Sequence, residues 1–172
     1  MIRSFVFFII YAVAINLNAQ HSFPEVFCEN LKGQQVLLPR SDKHQIIVMA
    51  FGKHNEKELD SWLQPVYDKF IQKTGLIDLM FDAHVYLLTV LNGVEAAAAK
   101  ANINKIKNET DEALHPNILV LKSDADLILQ TLKPDTKQVH VYLLNRNGKV
   151  LQSVKGKYNE DKMEALEDAF ED

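Results

Sequence analysis

Six consecutive apolar residues, Ile46-Ile47-Val48-Met49-Ala50-Phe51, run directly into Gly52. A strand that is apolar without alternation is covered on both faces, so the chain is expected to sandwich a sheet between helices. Lys53, His54 and Asn55 follow as a short polar loop, and a helix opens on Glu56. In an α/β domain, the junction between a strand end and a helix start is where a ligand or reacting group usually sits. Here that junction holds no cysteine, no serine nucleophile and no glycine-rich phosphate loop.

The flanking segments extend the pattern. Phe23–Cys28 reads as a short strand led in by Pro24, Asn30-Leu31-Lys32-Gly33 as a turn, and Gln35–Leu38 as a second strand ending at Pro39. The helix is expected from about Asn55 to Lys73. Asn55 serves as its N-cap, and Leu59, Trp62, Leu63, Val66, Tyr67, Phe70 and Ile71 lie on one face. Pro65 should kink it, and Thr74-Gly75 should end it. Asp82–Leu91 is another strand buried on both faces, and an alanine-rich helix is expected from Val94 to about Asn108. Asn117–Leu121 is a shorter strand, and Asp124 caps a small helix that stops before Pro134. Gln138–Leu144 and Lys149–Val154 form a hairpin about the turn Asn145-Arg146-Asn147-Gly148, and a last helix covers about Asn159–Phe170. The expected class is α/β, a three-layer sandwich with a central mixed sheet and helices on both faces.

The chain has 172 residues, enough for one substantial core, and no linker divides it. A net charge of −4 without a basic block argues against general nucleic-acid binding. Arg3, the apolar run Phe5–Leu17 and Ala19 read as a signal peptide over residues 1–19, leaving a single domain over 20–172. The run is short of the roughly 20 apolar residues of a spanning helix, so no stable membrane span is expected after cleavage, and the protein is expected to be exported. Cys28 is the single cysteine, which excludes an intramolecular disulfide. Its apolar neighbours favour a buried structural thiol; pairing with a partner's thiol is the alternative.

The order of elements resembles the thioredoxin-like superfamily in its peroxiredoxin or thiol-reductase form, over about residues 23–170. Phe23-Pro24 with Asn30–Val36 is similar to the family's leading hairpin, Ile47–Pro65 to its central strand and first helix, and Val141–Val150 to its later hairpin. Where that family carries a Cys-x-x-C pair or a peroxidatic cysteine, this chain has Gly52-Lys53-His54-Asn55-Glu56-Lys57. Where the family has a cis-proline, it has Val139. The Ser61-Trp62…Pro65 helix, the Asp82–Val90 strand and the Val141–Asn145 strand are more similar to the redox-silent branch that includes the mitochondrial ATP synthase assembly factor. That resemblance implies a scaffold or chaperone-like role with a protein or peptide partner.

Lys53, His54, Asn55 and Glu56 occupy the corner where the resemblance places redox chemistry. They could hold an anion or peptide carboxylate on free backbone N–H groups, while the simpler reading is a solvated cap. Val139 and His140 are expected to face the same corner. His54 and His140 with Glu56 or Glu58 would be the components of a metal or acid/base site, and so of a non-thiol enzyme. No H-x-x-x-H spacing supports this, and His21, His44, His84 and His115 are scattered, so no metal or cofactor is expected. Trp62 keeps step with Leu59, Val66 and Phe70 and belongs to the core.

Overall fold

The computed structural model describes residues 21–73, 81–91, 101 and 103–170. Its strands are β1 (Val26–Asn30), β2 (Gln35–Leu38), β3 (His44–Phe51), β4 (Ala83–Val90), β5 (Ile118–Leu121), β6 (His140–Leu144) and β7 (Val150–Lys155). The helices are α1 (Glu56–Val66), α2 (residues 103–109), α3 (Ala125–Leu132) and α4 (Glu160–Asp168). Among the described residues the strands form one sheet in the order β2-β1-β5-β4-β3-β6-β7. The central strand β3 pairs parallel with β4 and antiparallel with β6, which makes the sheet mixed.

Side-chain alternation divides the core in two. Ile46, Val48 and Ala50 of β3 join Val141 and Leu143 under Trp62 and Val66 of α1, Phe70 just beyond it, and Met163 and Leu166 of α4. Ile47 and Met49 point the other way, with Leu88, Leu119, Leu121 and Tyr142, toward Ile128 of α3. Helices therefore cover both faces. That is why the run Ile46–Ala50 is apolar throughout: each of its residues is at most 1% exposed.

Several elements differ from the sequence-based expectation, each for a physical reason. The first strand begins at Val26, because Pro24 has no N–H to give to a ladder. Phe23 packs edge-on against Tyr142, and its N–H donates to Gly148 O at 2.8 Å. The helix expected over Asn55–Lys73 is three pieces: a 3₁₀ turn (Gly52–Asn55), α1, and a π turn (Tyr67–Gln72). Pro65 cannot donate to residue 61, and the wider π turn two residues later accommodates the defect in place of a break. Lys73 is left-handed (φ 52°), its N–H donating to Asp68 O at 3.1 Å, so the helix stops there; Thr74-Gly75 lie outside the described residues. So does most of the alanine-rich stretch, of which 103–109 is helical. Asp124 stands at the start of α3, but with φ 63° its side chain makes no cap bond and instead accepts from Ser123 Oγ.

The later hairpin forms as expected. Asn145 Oδ1 accepts from the N–H groups of Asn147 and Lys149 at 2.9 and 3.0 Å, and Gly148 (φ +74°) closes the turn onto Asn145 O.

Candidate functional site

The candidate corner is built from the end of β3, the 3₁₀ turn, the first turns of α1 and the loop preceding β6. Gly52 takes φ +58°, which lets the chain leave the sheet and turn immediately. Lys53 and His54 lie on the 3₁₀ turn and Glu56 is the first residue of α1; their side chains lie outside the described residues.

Asn55 corrects the expectation of a solvated cap. It is 2% exposed and makes no side-chain cap bond; its Nδ2 donates to Thr136 O at 3.2 Å. One turn on, Glu58 Oε2 accepts the Val139 N–H at 2.9 Å. Asp135 shapes the loop between them, its two carboxylate oxygens accepting from Lys137 N–H and Gln138 Nε2 at 3.0 Å each. Val139 is fully buried toward α1, and its carbonyl accepts the Gly156 N–H at 2.8 Å. Trp62 Nε1 donates to Gly156 O at 2.9 Å, and Ser61 Oγ accepts the Tyr158 N–H at 3.1 Å. The start of α1 is thus strapped to the loops on either side of the β6–β7 hairpin. Trp62, with no exposed surface and a T-shaped contact to Tyr158, is a core residue as expected.

His140 adjoins Val139 in sequence, but strand alternation turns it away from Val139 and Val141 to the face shared by Tyr142. The two rings stack at 5.9 Å with 12° between their planes. Its Nε2 donates to Asp135 O at 3.0 Å. Burial pushes the imidazole below its ordinary pKa, outweighing the upward pull of that hydrogen bond. The expected convergence of His140 on the α1 side of the sheet is therefore not what the fold produces. Among the described residues, no group of His, Cys, Asp and Glu side chains converges to hold a metal ion.

His140 instead lines a groove of about 560 Å³ with Leu132, Lys133 and Pro134 at the end of α3, Tyr142, and the length of β7. Sequence reading missed it because its walls come from four separate segments, His21 among them. A second polar cluster lies at the opposite end of β3 and β4. There Asp42 accepts from Arg40 Nε at 3.2 Å and pairs with His84 Nε2 at 2.8 Å, which helps hold its carboxyl down to about 2.

Cys28 is 1% exposed in β1, and burial pushes its thiol up to about 12. In the sheet order β1 lies three strands from β3, about 14 Å at the usual spacing. Among the described residues, no helix is long and apolar enough to cross a membrane.

No family model and no curated protein matches this chain by sequence. Solved structures do match by shape. BsSco, a member of the Sco family of cytochrome c oxidase assembly proteins, superposes with a TM-score of 0.59 at 15% identity, covering 88% of this chain and 93% of its own. The exposed lipoprotein thioredoxin of Streptococcus pneumoniae gives 0.56 at 17% identity, covering 84% and 99%. The thio-disulfide isomerase of Thermus thermophilus gives 0.54 at 16%, covering 87% and 95%. At such identities the likeness speaks for architecture alone. With the strand order, the mixed sheet and the two helical layers described above, it identifies the chain as having the thioredoxin-like fold.

Proposed function

We propose that this is an exported thioredoxin-like protein that performs no thiol redox chemistry and acts as a binding or assembly module, in the manner of the redox-silent branch of the superfamily. One observation carries the reading. The only cysteine is buried in β1 with its thiol held protonated, while the α1 N-terminus, where a thiolate would be stabilised by the helix dipole, carries Gly52–Glu56. Disulfide exchange requires an accessible thiolate, which Cys28 does not supply. Export rests on the signal-like residues 1–19. An exposed lipoprotein among the structural neighbours is in keeping with it. BsSco, described as belonging to a family of assembly proteins, makes an assembly role a natural expectation.

The test is insulin-disulfide reduction and peroxide consumption by the purified protein beside Cys28→Ser. Both proteins are expected to be silent. Turnover that disappears in Cys28→Ser would overturn the reading.

A further inference from the structure

We propose that the outer edge of β7 takes an extended acidic segment of a partner protein as an added antiparallel strand. β7 ends the sheet order, so one of its edges has no named strand beside it among the described residues. Its start already accepts such an addition. Ser22 forms an antiparallel bridge with Lys149, Phe23 N–H donates to Gly148 O at 2.8 Å, and Val150 N–H donates to His21 O at 3.0 Å. Main-chain pairing of this kind gives affinity, and pockets beside alternate residues give specificity.

The groove alongside supplies those pockets. Leu132 and Pro134 form an apolar wall, the stacked rings of His140 and Tyr142 lie beneath, and none of the lining residues is Asp or Glu. Its charged lining residues are Lys133 and Lys155, with His21 at the other end, in a chain whose net charge is −4. Lys133 and Lys155 are exposed, and neither forms an ion pair among the described residues. Val150 to Lys155 spans about 17 Å of strand, so His21 and Lys155 mark opposite ends of a track. That spacing fits carboxylates spread along an extended chain rather than one compact anion. A second copy paired edge to edge would bring no carboxylate to these lysines, because β7 and the groove lining carry neither Asp nor Glu.

This inference rests on the binding-module reading, yet the two fail separately: Cys28-dependent turnover would sink that reading, whereas the titration below decides this one. The probe is a fluorescein-labelled octapeptide of alternating threonine and glutamate, followed by anisotropy against the full chain. Binding is expected to weaken at least tenfold in Lys133→Glu/Lys155→Glu, to weaken as salt is raised, and to vanish when alternate peptide amides are N-methylated. Native Trp62 emission checks that the double variant is folded. If it is not, Lys155→Gln, at an exposed side chain, is expected to weaken binding about threefold. Three results would each overturn the proposal: no binding of the octapeptide at millimolar concentration, equal binding of the N-methylated peptide, or equal competition by free N-acetylglutamate, which would mark a small-anion site.

Discussion

Removing the Glu58 carboxylate tests whether the corner is held together by the contacts described above. Glu58 Oε2 accepts the N–H of Val139, a residue with no exposed surface, 81 positions along the chain. In Glu58→Ala that N–H keeps its desolvation and loses its partner, which costs about 1–3 kcal/mol; hydrogen bonds to charged groups fall in the same range. We expect a loss of about 2 kcal/mol. In a chain of this length that corresponds to a melting temperature lower by about 4–8 °C and a urea midpoint lower by about 1 M. Glu58→Gln retains an amide oxygen that can accept, and is expected to lose about half as much. Lys57→Ala, at an exposed neighbour, should stay within about 0.5 kcal/mol. Amide exchange locates the effect: Val139 should lose protection in Glu58→Ala well before Leu143 in the middle of β6. If Glu58→Ala unfolds within about 0.5 kcal/mol of the parent and Val139 stays protected, the strap contributes nothing and the account of the corner is wrong.

Gly148 has φ +74°, and an added Cβ would stand 2.4 Å from Pro39 Cγ, whereas Gly33 (φ +81°) has nothing within 4 Å. Gly33→Ala should therefore cost only the left-handed penalty of about 1–2 kcal/mol, and Gly148→Ala visibly more, in parallel urea titrations. Trp62 is the single tryptophan and is fully buried. Its emission should be blue-shifted and move red on unfolding, and Trp62→Phe, which orphans its bond to Gly156 O, should cost about 1–3 kcal/mol; red emission from the native protein would contradict its placement. Cys28 should react with a thiol reagent only as fast as the chain opens, so fast labelling under native conditions would show that the thiol is accessible. His140 is held below its ordinary pKa by burial, so in acid the unfolded chain takes up a proton the folded one refuses. The stability this group supports is present above about pH 6.5 and falls as pH drops through its folded value. His44 is shifted the same way, burial again the largest cause, so His140→Phe should flatten the loss between pH 7.5 and 5.5 without abolishing it. An unchanged pH slope in His140→Phe would refute the assignment.

The sheet was readable wherever burial on both faces left a continuous apolar run, as in β3 and the β5 residues Ile118–Leu121. The hairpin was readable because Asn145 and Gly148 carry their turn chemistry locally. Asn55 shows why the site was harder. Local propensity makes asparagine before a helix a cap, but a carbonyl 81 residues away competes for its amide, and such a partner leaves no trace in nearby residues. The orientation of His140 did have a signal. Val139, Val141 and Leu143 alternate with His140, Tyr142 and Leu144, so period two alone groups the histidine with Tyr142. The clue from Val139, its neighbour at the corner, pointed to the wrong face, because adjacent strand residues face opposite ways.

These same contacts bear on where a partner would engage. At the corner, the Val139 N–H is taken by Glu58, the Val139 carbonyl by Gly156 and the Thr136 carbonyl by the Asn55 side chain. Main-chain groups consumed within the fold are not open to a peptide without first breaking a bond, at a cost comparable to what the new bond would return. At β7 beyond Val150, the exchange among the described residues is a lighter one, the exposed local bond from Ser153 N–H to Gln152 Oε1 at 2.9 Å. A protein with this corner braced and this edge open is therefore expected to recognise extended chains along β7, and to leave the α1 N-terminus as a structural joint.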